Sequence, residues 1–319
     1  MIAQATLPDE RTAARIFGTH FADEVSSVTR FPTGLCHYVF EVVTTKDTAY
    51  VVRIASRESR PYMDGGLYWH PILKAAGVPV PALHASGVDN SCAYMLLERL
   101  PGSDLGHVYG GLSRSSKRSL AEAVADIQRA VNTLPQARGF GFAFSYEQAN
   151  ATGKSSWADV VREGVSRSEE RIRRIGRIDL RLVERVRAIL ARHETYLHSV
   201  EPIPFLDDMT TKNVIVDDGA LSGIVDTDEV CFGDPLSTVA LTNMALLSLE
   251  VDTEYIDFWL DAMQATKHQR AMVLVYSIVF CLDFMGELGQ VFNKHLEFSE
   301  ERAEHLRDIF EKLAGINRV

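Results

Sequence analysis

Short β-branched segments crowd the first hundred residues and predict strands over Val25–Arg30, His37–Thr45 and Ala49–Ile54. The second and third meet at Lys46-Asp47, which predicts a hairpin. An opening helix over about 9–22 precedes them. A short helical stretch near Leu67–Ala76 ends at Gly77, an extended segment starts at Val78-Pro79-Val80-Pro81, and Ala93–Leu97 reads as a buried strand. Beyond Pro101-Gly102 the apolar spacing becomes helical. Leu120, Val124, Ile127, Val131 and Leu134 recur on one helix face, as do Leu182, Val186, Ile189 and Leu190 in a strongly charged segment. Two more helical stretches follow Asp234-Pro235, ending with Glu300–Leu313. The pattern predicts an α+β chain with a small β-rich lobe over 1–98 and a larger, mainly helical lobe over 99–319, hinged near Glu98–Gly102.

Composition changes this picture little. The 319 residues are 46% hydrophobic and 24% charged, an ordinary globular balance. No apolar run is read as approaching the roughly 20 residues that span a bilayer, and the acidic N-terminal stretch does not resemble a secretory signal. A membrane association is therefore not expected, and a cytoplasmic location is. A net charge of −10 disfavours a general nucleic-acid binder. Cys36, Cys92, Cys231 and Cys281 lie far apart, with neither zinc spacing nor a disulfide framework.

Chemistry concentrates between Asp208 and Asp226. Asp208 is followed five residues later by Asn213, and Asn213 thirteen residues later by Asp226. Between them Val214–Val216 and Leu221–Val225 flank a turn at Asp217-Asp218-Gly219, which predicts a hairpin. A hairpin returns Asn213 and Asp226 to the same end, where an amide oxygen and a carboxylate can share one Mg²⁺. Asp208 stands just ahead, placed to accept a proton from a hydroxyl nucleophile. An acid, an amide and a second acid in this order suit phosphoryl transfer.

These residues carry a resemblance. The chain resembles the aminoglycoside phosphotransferase and choline kinase group of small-molecule kinases, whose signature runs His-Gly-Asp, four residues, Asn, an apolar hairpin, Asp, and a later Gly-Asp-Pro. The corresponding positions here are Leu206-Asp207-Asp208, Asn213, Asp226 and Gly233-Asp234-Pro235. The resemblance runs from about Val25 onward and implies a protein-kinase-like bilobal fold. It implies that Asp208 is the catalytic base and that Asn213 and Asp226 hold the metal. The segment Tyr94–Gly102 matches the family's hinge, so ATP (or GTP) is expected against backbone groups around Glu98–Leu100. Gly34 and His37 fall in a loop similar to the one the family lays over the triphosphate. Arg53 fits the family's phosphate-binding cation, its guanidinium able to bridge two oxygens. Lys212 is a further candidate cation for the γ-phosphate.

Three positions depart from the family. Leu206 replaces a histidine that braces the catalytic loop, and Thr238 replaces an acid that anchors it. The acid expected on the helix after Arg53 is missing: the aligned position is Gly66, with Glu58 and Asp64 nearby. A second motif, Thr152-Gly153-Lys154-Ser155, ends like a Walker phosphate loop. Position 148 is Gln rather than the first glycine of that loop, so a solvent loop ahead of a helix near Trp157 is expected.

For the acceptor, Asp228, Glu229, Asp283 and Glu287 are candidate pocket acids for a cationic sugar or amine; Asp283 and Glu287 share a helix face. The sequence thus points to an ATP- or GTP-dependent, Mg²⁺-dependent kinase acting on a hydroxylated small molecule, an aminoglycoside-like antibiotic first. A choline, homoserine or sugar kinase and a nucleotide-binding pseudokinase without turnover are the alternatives.

Overall fold

The computed structural model describes residues 7–32, 36–90, 92–290 and 297–316; Gly34 lies outside them. Helix α1 (Glu10–Gly18) starts where the Asp9 carboxylate accepts the Thr12 N–H, which satisfies one of the amides a helix start leaves open. Its buried stripe, Ala13, Ile16 and Phe17, packs with Phe40, Val42, Val52, Ile54 and Leu96 on one face of a five-stranded antiparallel sheet. That sheet has the order β1-β2-β3-β5-β4, formed by β1 (Val25–Arg30), β2 (His37–Thr44), β3 (Ala49–Ala55), β4 (Leu83–Asp89) and β5 (Cys92–Glu98). Asp47 takes a left-handed φ of 59° in the expected β2–β3 hairpin. Helix α2 (Arg60–Ala75) lies between β3 and β4 in the chain, with Met63 packed against Ala55, Ala93, Met95 and Leu97. It starts seven residues before the expected Leu67, with Pro61 in its first turn and Gly65 and Gly66 buried inside it.

The helical lobe opens with β6 (Ser103–Asp104), α3 (Leu105–Val108) and the long α4 (Arg114–Asn132), whose apolar stripe is the one read from sequence. Then come β7 (Gly141–Ala143), α5 (Tyr146–Thr152), α6 (Trp157–Ile175), α7 (Arg181–Arg192) and α8 (Glu194–Ser199). Three short strands, β8 (Ile203–Phe205), β9 (Val214–Asp217) and β10 (Ala220–Ile224), lead to β11 (Val230–Gly233). Four helices follow Asp234-Pro235 among the described residues, rather than two: α9 (Leu236–Ser248), α10 (Glu254–Ala262), α11 (Lys267–Glu287) and α12 (Glu300–Ile316). Against the expectation that no run approaches a spanning length, α11 is long and apolar enough to cross a membrane by length and composition. It packs instead against α6, α9 and α12.

Two small sheets position the chemistry. In the first, β11 lies between β7 and β8, with Cys231 opposite Phe205 and Gly233 opposite Ile203. This antiparallel register brings the chain leaving β8, toward Asp207 and Asp208, next to the chain entering β11, from Asp228 and Glu229. In the second, β9 and β10 form the predicted hairpin; Asp218 (φ 46°) and Gly219 (φ 77°) occupy its two-residue turn, the pair of positive φ values a type I′ turn requires. The Walker-like segment is structural: Lys154 bridges to Phe140 in the backbone and pairs with Glu163, and Gly153 abuts Gly139.

Candidate active site

The Asp208 loop is held by its own backbone and by neighbouring hydroxyls. Asp208 is exposed, and the Thr210 hydroxyl donates to its Oδ1 at 2.7 Å. The Asn213 amide donates to the Asp208 carbonyl at 2.9 Å, which commits its nitrogen and leaves Oδ1 as the atom available to a cation. Gly106 N–H donates to the Thr211 carbonyl (2.9 Å), and the buried Thr242 hydroxyl shares its one proton between the Thr238 carbonyl of its own helix (2.9 Å) and the Met209 carbonyl (3.2 Å), so the loop touches α3 and α9. These ties stand where the family braces are replaced. Leu206 is simply buried in the core, and Thr238 is fully buried with no partner for its hydroxyl oxygen among the described residues.

The hairpin delivers Asp226 to the same place. Val225 N–H donates to the Asn213 carbonyl at 2.9 Å, so Asp226 follows directly beside Asn213. Asp226 has φ 63°, left-handed for a residue with a Cβ, a conformation that the surrounding hydrogen bonds must over-determine. Its side chain is 51% exposed. Two oxygen donors, one amide and one carboxylate, fit Mg²⁺, which takes the rest of its shell from water and phosphate.

Arg53, on β3, faces this segment. Its Nη2 donates to Asp226 Oδ1 at 2.7 Å and to Asp228 Oδ2 at 2.8 Å, and its Nη1 donates to Asp228 Oδ1 at 3.0 Å. His37 Nε2, on β2, shares a hydrogen bond with Asp228 Oδ2 at 2.7 Å. Burial works against charge on both Arg53 and Asp228. The carboxylates nevertheless hold the Arg53 pKa above its ordinary value, and Arg53 and then His37 pull that of Asp228 below the ordinary carboxylate value. Glu58 is exposed and Asp64 pairs with Arg60, so neither nearby acid serves Arg53. Room for Asp228 comes from α2: a Cβ on Gly66 would stand 2.5 Å from Asp228 Oδ1, and one on Gly65 2.3 Å from the Asp228 carbonyl oxygen. Asp228 and His37, named from sequence for acceptor and nucleotide respectively, thus meet each other and Arg53.

The remaining acids form a mixed-charge wall. Asp283 accepts from the Ser168 hydroxyl (2.8 Å) and from Arg171 (3.4 Å); Arg171 also lies 3.9 Å from Glu287, and Arg167 3.9 Å from Asp283. Burial, reinforced by Asp283, raises Glu287 to about 7 against the pull of Arg171, Lys212 and Arg167. Glu229 is also raised to about 7, by burial and then by Asp228 and Asp226, with Arg167 opposing. Lys212 is exposed on the Asp208 loop, within the field of Glu287. Arg167 and Arg171 were missed from sequence; their spacing of four on α6 puts both on one face, the only local signal they give. At the hinge, the Glu98 N–H is committed to the Ala82 carbonyl and its carboxylate to the Ala82 N–H. The Leu100 carbonyl accepts from Arg99, while the Leu100 N–H has no backbone partner among the described residues.

Gly233-Asp234-Pro235 is an anchor. Asp234 accepts from the hydroxyls of Tyr276 (2.7 Å) and Tyr196 (2.8 Å) and from Leu236 N–H (3.0 Å), and burial raises its pKa. A Cβ on Gly233 would stand 2.1 Å from the Trp157 ring, so only glycine fits this corner.

The model of the phosphotransferase enzyme family (APH) matches residues 27–272. No curated protein matches the chain. Among solved structures, the aminoglycoside phosphotransferase APH(2")-IIIa with GDP and kanamycin superposes with a TM-score of 0.70 at 12% identity, over 96% of this chain and 99% of that one. ADP-bound APH(2'')-Ib gives 0.65 at 14%, over 97% and 99%. A thermostable mutant of APH(4)-Ia in a ternary complex with ADP and hygromycin B gives 0.62 at 16%, over 96% and 95%. At such identities the likeness establishes the fold, a protein-kinase-like bilobal architecture of α+β class.

Proposed function

The chain belongs to the phosphotransferase enzyme family, and on that premise we propose that it moves the γ-phosphate of ATP or GTP to a hydroxyl of a small molecule, an aminoglycoside-like antibiotic first. One observation carries this reading: Asp208, Asn213 and Asp226 are tied into one cluster by the Asn213 amide on the Asp208 carbonyl and the Val225 N–H on the Asn213 carbonyl.

The contacts support the following division of labour. Thr210 holds Asp208 Oδ1, leaving Oδ2 to orient the acceptor hydroxyl and take its proton as the new oxygen–phosphorus bond forms. The nucleoside diphosphate departs as the old bond breaks. Asn213 and Asp226 would hold Mg²⁺, which when bound neutralises charge on the phosphates. Arg53, held by Asp228, would offer its remaining guanidinium N–H groups to the donor phosphates, and the Leu100 N–H is available to the base at the hinge. Catalysis on this reading is mostly positioning and electrostatics.

A second acceptor class has its own support. Arg167, Arg171 and Lys212 offset much of the charge of Glu229, Asp283 and Glu287. A wall so balanced favours a less cationic acceptor of the sugar, choline or homoserine kind over a polycation.

The test is nucleotide consumption with Mg²⁺ across a panel of hydroxylated antibiotics, amino alcohols and sugars. At least one acceptor is expected to stimulate turnover, and Asp208→Ala to reduce it about 10²- to 10⁴-fold. Nucleotide binding without stimulation by any acceptor would favour the pseudokinase reading; absence of both would defeat the kinase and pseudokinase readings together.

A further inference from the structure

We propose that Asp228 is the positioning carboxylate for Arg53, supplied from the large lobe in place of an acid on α2, so that the donor-binding cation of the small lobe is aligned from across the cleft. The inference rests on the reading of Arg53 as a nucleotide-phosphate ligand.

The geometry separates the two acids that touch Arg53. Asp228 is 6% exposed and takes both terminal nitrogens of the guanidinium, one on each carboxylate oxygen, the two-point pairing that fixes the plane of an arginine. His37 fixes the same carboxylate from β2. Asp226 takes only Nη2 and is half exposed. Asp226 is therefore free to turn to a metal while Asp228 keeps its hold. A buried guanidinium needs such a permanent partner, because stranding it costs far more than the pairing returns.

Helix α2 shows why the acid comes from the other lobe. The space that a side chain at position 66 would enter is filled by Asp228 Oδ1, 2.5 Å from the site of a Cβ. The two solutions, an acid on α2 and an acid at 228, exclude one another. The consequence is a coupling between lobes: Arg53 is aligned only while β3 and the segment between β10 and β11 are docked. A kinase with its acid on α2 aligns its cation within the small lobe alone.

The experiment relocates the carboxylate. Asp228→Asn, Asp228→Ala, Gly66→Glu and the double variant Gly66→Glu/Asp228→Ala are compared with the wild type. The readouts are nucleotide-free melting temperature, the melting shift caused by ADP with Mg²⁺, and separate KM values for nucleotide and acceptor. The isosteric Asp228→Asn variant retains shape and guards against simple unfolding. It is expected to weaken nucleotide about 10- to 100-fold while acceptor KM stays within about twofold. Gly66→Glu alone is expected to weaken nucleotide too, by evicting Asp228. In the double variant the vacated space receives the new carboxylate beside Arg53, and nucleotide affinity is expected to recover above that of Asp228→Ala. The inference is overturned if Asp228→Asn binds nucleotide as the wild type does, or if the double variant recovers nothing relative to Asp228→Ala. If the wild type itself shows no nucleotide-dependent shift, the kinase reading fails first and this inference falls with it.

Discussion

Two buried aspartates, six residues apart on either side of β11, are put to opposite uses. Asp228 faces the Arg53 guanidinium and the His37 ring, which hold its pKa below the ordinary carboxylate value in spite of burial. Asp234 faces two tyrosine hydroxyls and a backbone N–H, no cation among them, and burial raises its pKa. The same side chain pairs with a guanidinium in one place and accepts from hydroxyls and an N–H in the other. Environment alone decides which. A Gly-Asp-Pro corner is accordingly a statement about how the large lobe is built, whereas the acid at 228 reaches into the cleft.

The largest effect that can break this contrast is expected at the anchor. Asp234→Ala strands the hydroxyls of Tyr196 and Tyr276 and the Leu236 N–H, a loss of about 3 kcal/mol or more. Thermal unfolding should show a clearly lower melting temperature, while the ADP-induced shift of the folded fraction survives. If that shift disappears with stability intact, Asp234 belongs to the site and the contrast fails. A smaller effect is expected at Thr242, whose hydroxyl ties Met209 beside Asp208. Thr242→Val should cost about 1 kcal/mol and lower kcat more than it raises nucleotide KM, since it loosens the base and leaves Arg53 alone. An unchanged kcat would remove Thr242 from the bracing of the loop.

The smallest effect sharpens the comparison, because Glu287 sits between the two cases, with cations nearby and burial prevailing. Its folded pKa is about 7 against an ordinary 4.5. Below 4.5 it is protonated in both states. Between 4.5 and about 7 the folded chain keeps a proton that the unfolded chain releases, so the stability drawn from the neutral form falls as pH rises through that window. Glu287→Gln lacks this fall. Its melting temperature, measured against that of the wild type, should therefore gain between pH 5 and about pH 7 and level off above. A pH-independent difference would mean that Arg171, Arg167 and Lys212 keep Glu287 ionised.

The sequence made plain what local rules control. The turn at Asp217-Asp218-Gly219 needs two positive φ values and carries residues that tolerate them, so the hairpin and the meeting of Asn213 with Asp226 could be read directly. The stripe on α4 was equally open, because one face of that helix is solvated. Helices α9 and α11 gave no such stripe: both are largely enclosed, and a helix apolar on most sides has no amphipathic period to detect. Strands β8 and β11, three and four residues long, are too short and too buried to alternate. The helix expected near Leu67–Ala76 in fact includes Gly65 and Gly66, and what these two glycines make room for is a residue more than 160 positions away. The Arg53–Asp228 pair itself spans 175 positions, and no spacing rule connects them.

The packing of Gly66 against Asp228 also constrains how this chain can change over time. Any residue larger than glycine at 66 collides with the carboxylate, and removal of the carboxylate first strands a buried arginine. A lineage moving between the two arrangements must therefore cross a poorly functioning intermediate whichever substitution comes first. On the proposed role of Asp228 the two positions are expected to vary together, relatives carrying either a glycine at 66 with an acid at 228 or the reverse.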